Sequence, residues 1–276
     1  MYSSIKSFAK KVLPQSIWTK LRIYKINRAV SSYTNQIVTH NYCGHELKVE
    51  LKDALADGWY NKDWPNLHEI DFFKSKGILG NGTKIFDLGA HQGVVAMVFA
   101  KECSPEGRVL AVEANEHNFM CATGNRNLNK INDLHIVHGA VSDKEDVLYF
   151  NRGLNGAVDD GSARWGQVKT NSYSIDYLLN KYFIPDIIYL DIEGYEFIAL
   201  KGAKQALDLD ISWFIEVHGE ETISNYGGSV QEVLSHFPSD KFDLFMAEDG
   251  KEFVPFDANN SMIKERFFFI AVKKKN

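Results

Sequence analysis

Lys84-Ile85-Phe86-Asp87-Leu88-Gly89-Ala90-His91-Gln92-Gly93 runs from a short apolar stretch into a glycine-punctuated turn, and Val94 to Ala100 continues at helical spacing. A strand, a tight turn and a helix in that order open a βαβ unit. Ligands in an open parallel sheet lie beyond the carboxyl ends of the strands, so Asp87 to Gly93 is the expected ligand turn. Gly89 permits the tight bend, Ala90 and His91 fill its middle, and Gly93 lets the first helix approach closely. The helix N-terminus suits an anion such as an amino-acid carboxylate. A dinucleotide turn calls instead for G-x-G-x-x-G, whose second glycine admits a pyrophosphate, and the different spacing here disfavours an NAD-linked oxidoreductase. Asp87 fits better beside a ligand carrying an ammonium and a sulfonium than beside phosphates.

Outward from this turn, short apolar runs alternate with helical periods. "RVLAVEA" (108–114), "LHIVHGAV" (134–141), "DIIYLDI" (186–192) and "ISWFIEVH" (211–218) read as further parallel strands. "FDLFMAE" (242–248) and "ERFFFIAVKKK" (265–275) close the chain with no helix between them, so they must pair antiparallel. The expectation is an α/β, Rossmann-like domain with a mostly parallel seven-stranded sheet whose last strand is antiparallel.

The second strand ends in Glu113, twenty residues after Gly93, where a carboxylate accepts hydrogen bonds from two ribose hydroxyls; Ala114 and Asn115 follow it. Ala140, Val141 and Asp143, past the third strand, are expected at an adenine ring. Together these positions describe S-adenosylmethionine. Fourth- and fifth-strand ends read Asp191-x-Glu193 and Glu216-x-His218, and residues two apart on a strand face the same way. His218 titrates near neutrality and is the leading general-base candidate, with Asp191 or Glu216 to orient it. The alternative is a divalent cation such as Mg²⁺ on Asp191, Glu216 and His218, lowering the pKa of an acceptor hydroxyl. Glu193 and Glu196 also sit where a helix begins, and for Glu196 that favourable position accounts for the residue without catalysis.

From Ile70 onward the chain resembles the FkbM family of methyltransferases. The resemblance rests on the D-x-G-A-x-x-G turn, Glu113, Ala140 to Asp143, and Asp191-Ile192-Glu193-Gly194-Tyr195-Glu196, together with Asn125, Asn129, Asn132 and Asp176. Ala114 stands where the family commonly has proline, and Tyr189 where it commonly has lysine. The resemblance implies a class I methyltransferase fold and O-methylation of a sugar, glycan precursor or small metabolite, as in polysaccharide biosynthesis. A non-catalytic binding or membrane-associated module is the rival reading.

Residues 1–66 are read as a basic helical and cap segment, and 67–276 as the catalytic domain with an insertion at about 142–181 that walls the acceptor pocket. Within the cap, 37–51 alternates like a hairpin, and Trp59, Tyr60 and Trp64 crowd a stretch that would cover a pocket. Residues 1–28 carry seven bases and no acids. Two readings stay open for them: a helix resting on an anionic membrane surface, or one packed on the domain with a solvated face. Net charge is −5, which gives no drive toward a polyphosphate and argues against nucleic acid. Cys43, Cys103 and Cys121 form no C-x-x-C pair, so a reducing cytoplasm is expected. No apolar run approaches the roughly 18 residues that cross a bilayer.

Overall fold

A computed structural model describes residues 32–151, 167–258 and 263–274. The basic segment 1–28 and the Gly/Asp-rich stretch 156–166 lie outside them, so the expectations for both fall outside the described residues. The chain opens with a hairpin, β1 (Gln36–Tyr42) and β2 (His45–Leu51), closed by Cys43 and Gly44 at φ of 53° and 88°. Positive φ at both turn residues matches the right-handed twist of the strands. Helices α1 (Ala54–Tyr60) and α2 (His68–Ser75) follow. Asp53 caps α1 by accepting from the Leu55 and Ala56 amides.

The alternating region then runs β3 (Lys84–Leu88), α3 (Val94–Cys103), β4 (Arg108–Glu113), α4 (Glu116–Leu128) and β5 (Leu134–His138). The predicted insertion forms β6 (Ala140–Ser142), β7 (Asp146–Asn151), β8 (Gln167–Ser174) and α5 (Ile175–Lys181), with β6, β8 and β7 in a separate small sheet. Next come β9 (Ile187–Leu190), α6 (Glu196–Lys201), α7 (Lys204–Asp208), β10 (Ser212–Val217), α8 (Gly219–Ser224) and α9 (Val230–Ser235). β11 (Phe242–Ala247), β12 (Val254–Pro255) and β13 (Phe267–Lys273) complete the described chain.

The main sheet has the order β12-β11-β13-β10-β9-β3-β4-β5. β5, β4, β3, β9 and β10 are parallel, and β13 inserts antiparallel between β10 and β11. This is the expected Rossmann-like architecture with one addition. The sheet has eight strands, not seven, because Val254 and Pro255 pair with Met246 and Phe245 at the edge. Two residues carry no periodicity that a sequence reading detects, and proline suits an edge.

Strand alternation splits the core. Phe86, Leu88, Val112, Ile188, Leu190 and Trp213 pack on one face, and Ile85, Ala111, Ile187, Tyr189 and Phe214 on the other. The second face takes α3 and the N-terminal hairpin, which locks onto α4 through two asparagines. Asn125 Oδ1 accepts from the Glu50 amide, while Asn129 accepts from the Lys48 amide and donates to the Lys48 carbonyl. These side-chain amides occupy the place of a missing strand neighbour and satisfy the edge of β2.

Candidate functional site

Strand order reverses between β3 and β9, and there the turn from Asp87 to Gly93 meets the loop after β9. Gly89 has φ of +99°, and a Cβ on it would lie 1.7 Å from the Asp191 carbonyl oxygen, so only glycine lets the two loops touch. Gly93, at φ +78°, caps α3, and its Cβ would meet the Ala122 Cβ of α4 at 3.0 Å. An open cleft lies over this junction. Gly89, His91, Glu113, Ala114, Ala140, Val141, Asp191 and Glu193, all candidates from the sequence, line it.

Asp87 is buried, 1% exposed and not among the cleft-lining residues, with Oδ2 lacking any hydrogen-bond partner. Burial pushes its carboxyl up to about 7. Glu113 accepts from the His91 amide at 2.8 Å and the Asn115 amide at 2.7 Å, and burial still raises it to about 7. Ala90 is buried in the turn, donating to the Val112 carbonyl and accepting from Gly93. His91 adopts φ of 48°, packs its Nδ1 against the Tyr60 hydroxyl at 2.6 Å, and is lowered by burial to about 4. It is therefore neutral.

Five expected cofactor contacts do not line the cleft: Asp87, Ala90 and Gly93 are buried in or beside the turn, and Asn115 and Asp143 fall elsewhere. Asp143 is exposed and does not line the cleft: it stands past the end of β6 and accepts from the Ser142 hydroxyl. Asn115 caps α4 through the Asn118 amide, and Asn118 itself reaches the cleft. Trp59, Val112, Gly139, Ile192 and Tyr195 also line it, and none was singled out as a ligand contact from sequence. Only Trp59 carried a signal, the aromatic crowding of the cap.

Asp191, Glu193, Glu216 and His218 do converge. His218 Nε2 lies 3.7, 3.6 and 3.4 Å from oxygens of Asp191, Glu193 and Glu216. Its Nδ1 lies 2.9 Å from Glu196 Oε1, an oxygen that also accepts from the Gly194 amide. Glu196 is fully buried, with Oε2 unpartnered, which corrects the reading of it as a helix-start acid alone. The orienting group for His218 is thus Glu196, not Asp191 or Glu216. Burial works against a charged imidazole, but Glu196 first, then Asp191 and Glu216, outweigh it and push His218 up to about 9. The Arg266 guanidinium pairs with Glu216 Oε1 at the rim. Asp191 is raised well above the usual carboxylate range by burial and by Glu216. Tyr189, where a lysine was expected of the family, stacks on Phe214 and donates to Glu69 Oε1 on the face below.

Residues 87–244, more than half of the chain, match the family model described as the methyltransferase FkbM domain. The chain belongs to the FkbM methyltransferase family. Among solved structures, it is similar to an FkbM methyltransferase from Methylobacillus flagellatus (16% identity, TM-score 0.44), over 68% of this chain and 43% of that one. The match thus spans less than half the length of that relative. Similar too are an S-adenosylmethionine-dependent O-methyltransferase from Thermotoga maritima (15%, 0.44, 87% and 78%) and Aeropyrum pernix fibrillarin with S-adenosyl-L-methionine bound (14%, 0.45, 87% and 83%). No curated protein matches the sequence. An FkbM domain sets aside the NAD-linked reading. Among the described residues, no helix is long and apolar enough to cross a membrane.

The site suits the cofactor of this FkbM protein on two structural grounds. The orphaned Asp87 oxygen wants a buried cation, and Gly89, which lines the cleft, presents bare backbone to a ligand there. With a ligand ammonium at Asp87 and ribose hydroxyls at Glu113, as the sequence reading expects, ionised carboxylates would be favoured, whereas burial pushes each up to about 7 in the free protein. On that placement, affinity for S-adenosylmethionine is expected to be full above that value and to be lost as pH falls through it. The expected loss is roughly tenfold per carboxylate between about pH 8 and about pH 6, with proton release on binding at the lower pH. Calorimetry in buffers of different ionisation enthalpy measures both.

Proposed function

We propose that the protein moves the methyl group of S-adenosylmethionine to a hydroxyl oxygen of a small-molecule or glycan acceptor, with Asp191 as the base. The observation that carries this reading is the position of Asp191. It lines the cleft at the strand-order reversal, with its backbone carbonyl against Gly89 of the cofactor turn. S-adenosylmethionine, when bound, supplies a methyl already activated by the sulfonium. Asp87 and Glu113 hold its ammonium and ribose, Ala140 and Val141 wall the adenine, and Asp191 accepts the acceptor hydroxyl's proton as the oxygen attacks. An elevated carboxyl is a stronger base than an exposed one.

His218 does not serve as the base in this scheme. Held as an imidazolium among four carboxylates, it has no lone pair to offer, and it lies outside the cleft lining. Its charge keeps Asp191 and Glu193 from repelling each other out of position.

One observation favours a second reading, a divalent cation on Asp191, Glu216 and His218. Ligand atoms of these three residues all lie within 4.8 Å of one another, and Glu196 fixes His218 Nδ1 as an outer carboxylate does in many metal sites. A cation there would lower the hydroxyl's pKa. Arg266 already neutralises Glu216, which supports the metal-free scheme. The test is mass spectrometry of nucleotide sugars and lipid-linked glycans incubated with the protein and S-adenosylmethionine. The expected result is a product heavier by one CH₂ group, formed equally with and without a chelator; chelator inhibition reversed by Mg²⁺ or Mn²⁺ would replace Asp191 with the metal scheme.

A further inference from the structure

Trp59 precedes the residues matched by the family domain, yet it lines the cleft. It is also 40% exposed, a costly placement for an indole that covers nothing. Its helix is clamped to the cofactor turn from both ends. At the start of α1, Asp53 Oδ2 accepts from Gln92 Nε2 at 2.7 Å and pairs with His117 Nε2 at 2.9 Å. At its end, the Tyr60 hydroxyl meets His91 Nδ1, while Tyr42 donates to the Tyr60 carbonyl. Trp64 Nε1 donates to the Trp59 carbonyl, 3.2 Å away. Two successive turn residues, His91 and Gln92, are thus tied to the segment that carries Trp59.

The indole lies 5.0 Å from the His91 ring, centroid to centroid, tilted by 53°. That contact puts it at the Asp87–Gly93 end of the cleft and not at Ala140 and Val141, where the adenine belongs. We propose that Trp59 forms the wall facing the cofactor's sulfonium, and that its ring face makes the site prefer the charged cofactor to the neutral thioether left after transfer. An aromatic face attracts a cation most strongly when water is excluded, and tryptophan does so best. The neighbouring imidazole is neutral and sets up no repulsion. A useful consequence is product release: loss of the methyl removes the charge that the ring holds.

The inference rests on the cofactor reading above. Its test compares S-adenosylmethionine with S-adenosylhomocysteine by calorimetry on wild type, Trp59→Leu and Trp59→Phe, each checked for folding by thermal denaturation. Trp59→Leu is expected to weaken S-adenosylmethionine by about 3- to 30-fold and S-adenosylhomocysteine by less than about twofold, with Trp59→Phe between wild type and Trp59→Leu. Equal weakening of both ligands would reduce Trp59 to an apolar wall and overturn the proposal. So would unchanged binding of both with a raised KM for the acceptor, which would make the indole an acceptor platform. If Trp59→Leu does not fold, Trp59→Phe decides by the same comparison, a selective loss for the charged ligand supporting the proposal and an equal change overturning it. Wild type that binds neither ligand fails the cofactor reading itself, a result distinct from all of these.

Discussion

Asp191→Asn lowers kcat for methyl transfer by about 10²- to 10⁴-fold and leaves S-adenosylmethionine affinity within a few-fold of wild type. The substitution keeps the shape of the side chain and the backbone carbonyl that meets Gly89, so the turn stays intact. What it removes is the proposed proton acceptor. An alcohol attacking a methyl sulfonium must shed its proton, and the uncharged amide offers no basic site for it. Stopped turnover with titrating heat of cofactor binding separates this outcome from a damaged pocket. A variant with wild-type kcat would transfer the base role elsewhere. Because burial and Glu216 raise the Asp191 carboxyl, wild-type kcat also climbs with pH until Asp191 is ionised, and the residual rate of the variant lacks that limb.

Asp87→Asn weakens S-adenosylmethionine by about 30- to 1,000-fold, the range for truncating one partner of a buried, hydrogen-bonded charge pair. Asp87 Oδ2 has no partner in the free protein, so the substitution breaks no hydrogen bond at that oxygen. It also leaves a second, independent trace. A carboxyl near 7 in the folded state and near 4 when unfolded makes the folded state bind an extra proton between those values. Stability of the free protein therefore falls as pH rises from about 4 to about 7, and Asp87→Asn flattens that slope. Glu113 contributes a slope of the same sign, so about half survives. Thermal denaturation across pH without ligand reads this directly.

The sheet, the ligand turn and the Glu113 strand end were legible in the sequence because each has a period or a spacing. Short apolar runs fix strands that are buried on both faces, and the two glycines of the turn mark a bend and a close approach. Contacts that depend on where a side chain turns after its element ends were not legible. Asp143 follows a three-residue strand and points outward, while Glu196 turns inward to His218 from 22 residues away. An acid at a helix start looks the same in sequence whether solvent or an imidazole faces it. Asn118 and the pairing of Asn125 and Asn129 with β2 likewise depend on helix placement against a hairpin some 75 to 81 residues earlier. Trp59 showed only as one of several crowded aromatics.

The claim beneath the rest is that Asp87 and Glu113 together grip the amino-acid and ribose ends of one sulfonium nucleotide. Titrating folded wild-type protein with S-adenosylhomocysteine, which shares both ends and cannot react, addresses it with the least interference from the acceptor. The expected isotherm has one site per chain, weakens below about pH 7 and vanishes in the Asp87→Asn, Glu113→Gln double variant. An isotherm without heat, or one indifferent to both substitutions, contradicts the account.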